Sequence, residues 1–80
     1  MAIFSPKRTR VAVLRGGPSE EYEVSLETGK HVLNLIREFP DKYEPLDIFI
    51  SKNGEWHASG IVDDPHKLLK DIDVVFNGLH

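Results

Sequence analysis

Three short apolar runs, separated by stretches with helical spacing, organise this chain. Arg10-Val-Ala-Val-Leu14 is a β-branched run that stops at Gly16-Gly17-Pro18, the pattern of a buried strand entering a tight turn. Beyond the turn, Val24, Thr28, Val32, Leu35, Ile36 and Phe39 recur at helical spacing, which predicts an amphipathic helix ending near Phe39, before Pro40. Ser19 stands where a helix cap is expected, and Glu20, Glu21 and Glu23 fall in the predicted first turn, where the helix dipole favours carboxylates.

Tyr43 to Ile50 alternates as a strand does, with Leu46, Ile48 and Ile50 on one side and Asp47 and Phe49 on the other. Ser51-Lys-Asn-Gly54 reads as a hairpin turn because Asn-Gly readily takes positive φ, and Glu55-Trp56-His57 as the short return strand. This hairpin is expected to hang off the end of the sheet. A looser stretch from Ala58 to Asp64 leads to Pro65, a favoured first helical position, and a short helix through Leu68, Leu69 and Lys70. Asp73-Val-Val-Phe-Asn77 is then a third buried strand. The order implies a parallel sheet with right-handed crossovers and the first strand in a central position. Ligands of such sheets sit at the carboxyl ends of the strands, here the loop after Leu14 and the residues after Phe76.

Composition narrows the picture. Eighty residues, 40% of them hydrophobic, hold one domain, 1–80, and there is no cysteine to add a disulfide. A core of this size contributes roughly 3–5 kcal/mol of net stability. The net charge of −3 is spread over interspersed acids and bases, which argues against nucleic acid as a partner. In Met1-Ala-Ile-Phe-Ser-Pro-Lys-Arg-Thr-Arg10 the apolar residues precede the charges, the reverse of a secretory signal. No apolar run approaches the roughly 20 residues that cross a bilayer. The expectation is a cytoplasmic protein without a membrane segment.

Two segments can carry chemistry. The first, Leu14-Arg-Gly-Gly-Pro-Ser-Glu-Glu-Tyr-Glu-Val-Ser25, is a glycine turn opening a helix rich in carboxylates. A Gly-Gly turn there could bind phosphate, since its backbone N–H groups can face an anion. Three glutamates and a single nearby cation, Arg15, argue otherwise. A carboxylate at a helix start is a good counter-ion for an ammonium group. The second segment, Val74-Val-Phe-Asn-Gly-Leu-His80, delivers Gly78 and a histidine able to donate to a carboxylate oxygen at the same edge. Together they suit a zwitterion.

Residues Val11 to Gly29 resemble the first strand, loop and helix of D-alanine-D-alanine ligases, with their Gly-Gly, x-Ser-x-Glu-x-Glu-Val-Ser and Thr-Gly pattern. Asp73-Val-Val-Phe-Asn-Gly-Leu-His80 is similar to that family's Asp-Val-Val-Phe-x-x-Leu-His-Gly segment. The resemblance covers nearly the whole chain from Arg10. It implies an N-terminal (pre-ATP-grasp) substrate-binding domain: α/β, a three-layer Rossmann-like parallel sheet with flanking helices and a small β-hairpin. The family joins two D-alanines for peptidoglycan, consuming ATP with magnesium through an acyl-phosphate. By resemblance, Glu21 holds the ammonium of the first D-alanine, Val24 and Ser25 line or support its pocket, and His80 stands beside it. Arg15, at a position often apolar or aromatic, and Pro18 depart from the pattern. The nucleotide and magnesium sites lie in the family's central and ATP-grasp domains, so this segment is expected to bind no ATP and to be inactive alone. The remainder of the ligase chain is its implied partner, with a homodimer through the first helix.

Plainer readings compete at several positions. Gly16 and Gly17 are also simple turn glycines, Ser19 a cap, and Glu20 and Glu23 dipole and solubility residues. His31, His57 and His66 read as surface histidines without metal-ligand spacing. Trp56 and Phe49 read as a small packing cluster on the hairpin. The alternative function is a free-standing α/β interaction module, because an uncovered third strand leaves apolar surface and an open sheet edge.

Overall fold

The computed structural model describes residues 7–80; the lead-in read from Met1 to Pro6 lies outside the described residues. Strand β1 (Thr9–Gly16) is followed by helix α1 (Tyr22–Arg37), β2 (Tyr43–Ile50), β3 (Trp56–Ala58), β4 (Ile61–Val62), α2 (Pro65–Leu69) and β5 (Val74–Asn77). They form one five-stranded sheet in the order β4-β3-β2-β1-β5. β1 lies between β2 and β5 and is parallel to both, as the two crossovers require. Strands β3 and β4 add antiparallel to β2. The hairpin therefore widens the sheet instead of hanging from it, and a second tight turn at Ser59-Gly60, both with positive φ, makes strand β4 within the stretch from Ala58 to Asp64 expected to be looser.

Alternation along β1 and β2 divides the core between two faces. Ala12, Leu14, Ile48 and Ile50 face α2, with Leu68, Leu69 and Ile72 packed against them. Val11 and Val13 face α1, where Leu33, Val32 and Ile36 close over them. Ala12, Val13 and Ile48 are wholly buried. Burial of each branched side chain contributes about 1.5–3 kcal/mol before entropy is counted. The result is the expected helix, sheet, helix arrangement. Trp56 joins the α2 face while Phe49 and His57 stack on the α1 face, ring centroids 5.3 Å apart, so Trp56 and Phe49 do not form one cluster. His57 is half-buried rather than a surface histidine, and its Nε2 is enclosed without a partner.

Three local expectations change. The inward face of α1 is Ser25, Gly29 and Leu33, whereas Val24 and Leu35 point outward. In the Ser51–Gly54 turn Gly54 alone takes positive φ, and its N–H donates to the Ser51 carbonyl. β5 is not buried: Val74, Val75 and Phe76 are 50%, 45% and 37% exposed, and among the described residues no strand covers its outer edge. Its start is nonetheless fixed, since Asp73 N–H donates to the Arg10 carbonyl and the Asp73 carboxylate accepts the Arg10 N–H.

Candidate functional site

β1 is longer than its apolar run and carries Arg15 and Gly16 to the carboxyl edge, where Gly16 (φ 100°) and Gly17 (φ 91°) turn the chain. Both conformations are costly for a residue with a Cβ. At Gly16 a Cβ would also lie 2.2 Å from the Ile50 carbonyl oxygen. That proximity is used: Gly17 N–H donates to the same oxygen at 2.8 Å, fastening the turn to the end of β2.

Gly16 N–H donates to the Ser25 hydroxyl at 2.9 Å, and that hydroxyl donates onward to the Gly78 carbonyl at 2.7 Å. Gly78 N–H in turn donates to the Leu14 carbonyl. Ser25 is wholly buried, so one side chain ties the glycine turn, the first turns of α1 and the segment after β5 into a single unit. Leu79 lies over the turn, 3.2 Å from where a Gly17 Cβ would stand. The two motifs from opposite ends of the chain thus meet at one sheet edge. Both glycine amides are thus consumed internally and are not available to an anion at the turn.

The helix begins later than its glutamates suggested. Glu21 is the N-cap residue, without a side-chain capping bond, and Glu23 is the carboxylate within the first turn. Ser19 is not the cap; its hydroxyl accepts the Glu21 N–H at 2.8 Å and its carbonyl accepts the Tyr22 N–H, forming a small turn ahead of the helix. Glu20, Glu21 and Glu23 are all exposed. Val24 is also exposed, so any pocket it lines is open on this side, and His80 ends the chain in an exposed position past Leu79.

Arg15, the turn's cation, is committed elsewhere. Its guanidinium holds the Asp47 carboxylate with two bonds of 2.8 and 2.7 Å and donates to the Leu26 carbonyl at 3.3 Å. The hydrogen bonds to Asp47 raise its pKa against the opposing effect of burial. The space for this side chain comes from Gly29, where a Cβ would sit 2.6 Å from Arg15 Cβ. Sequence reading missed this pair; the signal was two opposite charges on the α1-facing sides of adjacent strands.

A groove of about 460 Å³ lies away from this edge, lined by Arg37, Asp47, Phe49, His57 and the Ser59-Gly60 turn among others. None of its lining residues belongs to the glycine turn or to the segment after β5. Among the described residues no group of three or more His, Asp or Glu is placed to hold a metal ion.

A family profile described as D-ala D-ala ligase N-terminus matches residues 10–67. The D-alanine--D-alanine ligase of Solibacter usitatus is 40% identical over 73 residues, covering 91% of this chain and 22% of the relative. That of Geobacillus thermodenitrificans is 45% identical over 65 residues, covering 76% and 17%. The crystal structure of the VanG D-Ala:D-Ser ligase from Enterococcus faecalis superposes with a TM-score of 0.71 at 25% identity, covering 92% of this chain and 29% of that one. The chain spans about a fifth of the length of the curated relatives it matches.

Proposed function

Given that the chain belongs to the D-alanine-D-alanine ligase family, whose N-terminal part it matches, we propose that it forms one wall of the first D-alanine site in an ATP-dependent ligase of peptidoglycan synthesis. Glu21 takes the ammonium group, and His80 donates to the carboxylate of the same amino acid. Val24 and Ser25 serve as flank and support. One observation carries this reading: both glycine amides are satisfied within the fold while the Glu21 carboxylate stands exposed at the helix start. A turn with both glycine amides closed and three exposed carboxylates beside it suits a cation better than an anion.

ATP does not fit the residues of this edge. Glu20, Glu21 and Glu23 would repel a triphosphate, and Arg15 is spent on Asp47. The chemistry of ATP and magnesium belongs to other parts of a ligase, and this chain's share is to bind and orient the amino acid. The partners are the rest of that ligase and a second copy through the outward face of α1 and the residues just after it, where Leu35 and Phe39 are exposed. The compartment is the cytoplasm, where ATP is available; no helix of the described residues is long and apolar enough to cross a membrane.

The test assembles this chain with the remaining domains of a ligase, adds D-alanine, ATP and magnesium, and follows phosphate release with Glu21 and with Glu21→Gln. Turnover that Glu21→Gln abolishes supports the assignment. Assembly without turnover, or turnover indifferent to Glu21→Gln, refutes it and favours a non-catalytic interaction module, to which the exposed Val74, Val75 and Phe76 would then belong.

A further inference from the structure

The Glu21 side chain makes no hydrogen bond or ion pair among the described residues, and the helix it opens has no side-chain cap. Ser25 holds the inner side of the first turn and Ser19 accepts the Glu21 N–H, but on the outer side, where the Glu21 carboxylate stands, the helix end needs a further anchor to keep from fraying. Tyr22, the next residue and the first of α1, is placed to be that anchor. Its ring meets Phe49 of β2 edge-on, centroids 6.1 Å apart at 71°. The Lys52 ammonium, from the turn after β2, lies 5.0 Å above the ring. A ring carbon also comes within 3.3 Å of the position a Gly16 Cβ would take, so the absence of a side chain at Gly16 leaves room for it. Tyr22 is half-buried between two exposed glutamates.

We propose that Tyr22 is the positioning residue for Glu21: its ring, held between Phe49, Lys52 and Gly16, fixes the first turn of α1 against the carboxyl edge and so fixes where the Glu21 carboxylate meets its ligand. The inference rests on the role given to Glu21 above. It assigns Tyr22 no contact with the amino acid. The ring's faces and edges do the holding, and its hydroxyl is dispensable.

Two measurements test it on Tyr22→Ala and Tyr22→Phe. By nuclear relaxation of the 80-residue chain, the Glu21 backbone order parameter is expected to fall from about 0.85 to below about 0.6 in Tyr22→Ala and to stay high in Tyr22→Phe. In the assembled ligase, Tyr22→Ala raises the KM for the first D-alanine roughly ten-fold, the worth of one aromatic and one cation–π contact, with kcat little changed. Tyr22→Phe restores it. An ordered Glu21 in Tyr22→Ala overturns the proposal. So does an unchanged KM in Tyr22→Ala when Glu21→Gln abolishes turnover. If Glu21→Gln turns over like the parent, the ligand assignment fails instead, and the order parameter still decides whether Tyr22 holds the helix start.

Discussion

Replacing Ser25 by alanine removes one oxygen atom and leaves two buried groups without partners. The Gly16 N–H loses its acceptor and the Gly78 carbonyl loses its donor, and both glycines are buried. An orphaned buried polar group costs about 1–3 kcal/mol, and some relaxation or water entry is expected at an edge, so the loss should be about 2–4 kcal/mol. A core of this size has roughly 3–5 kcal/mol of net stability in total. Ser25→Ala therefore removes a large share of the stability and lowers the melting temperature by on the order of 10–20 °C. Urea unfolding followed by circular dichroism measures it: the midpoint drops by about 2 M at an unchanged slope. Thr28→Ala is the matched control, because the Thr28 hydroxyl only donates back to the Val24 carbonyl on its own helix. Its expected change is within about 0.5 kcal/mol. Equal midpoints for the two variants would refute the view that Ser25 joins the two motifs.

Other substitutions test the parts around it. Asp47→Asn and Arg15→Met should each cost about 1–2 kcal/mol, discounted for the partial exposure of the pair, and a double-mutant cycle in urea should show clear coupling; additive costs would mean that the bidentate contact contributes nothing. Gly29→Ala gains about 1 kcal/mol of helix propensity but drives a methyl group to 2.6 Å from Arg15 Cβ, which is fixed to β1, so a net loss of about 1 kcal/mol or more is expected. A variant melting above the parent would show that α1 is free to move off the sheet. Val75→Lys places a charge on the open edge strand and should reduce concentration-dependent self-association in sedimentation velocity, while a parent chain that stays monomeric would remove the reason for the change.

How far the sequence was legible depended on whether burial followed hydrophobicity. In β2 it did, and the alternation of Leu46, Ile48 and Ile50 with Asp47 and Phe49 gave both its limits and its faces. In α1 it did not. The inward positions Ser25 and Gly29 are polar or absent as side chains, one buried for its two hydrogen bonds and the other making room for Arg15. An apolar stripe drawn through Val24 and Leu35 therefore turned the helix too far toward solvent. For β5 the run Val74-Val75-Phe76 reads as a buried strand whatever covers it, and the open edge was expected only under the interaction-module reading, yet all three residues are exposed. β4 was hidden by its length of two residues and by a turn needing positive φ at Ser59, which a serine does not announce. Of the site, the edge and the carboxylates were readable, because glycines and charges mark themselves. The hydrogen bonds that join the motifs were not, since they depend on a register linking residues more than fifty positions apart.

Those unseen bonds decide the chemistry of the edge. From sequence, Gly16-Gly17 at the end of a strand could serve an anion or merely turn the chain, and the glutamates only weighed against the anion. In the fold, the Ser25 hydroxyl and the Ile50 carbonyl take the two glycine N–H groups, and Asp47 takes the guanidinium that precedes them. None of these three donors is free for a phosphate. What is left facing solvent is acidic, and it sits at the positive end of a helix dipole, where carboxylates are tolerated without a paired base. The stability of this edge and the cation site proposed for it thus rest on the same contacts. Ser25→Ala, which unties the glycine turn from the first turn of α1, is therefore expected to raise the KM for the first D-alanine in the assembled ligase as well as to lower the melting temperature, and a variant that melts lower with an unchanged KM would separate the two.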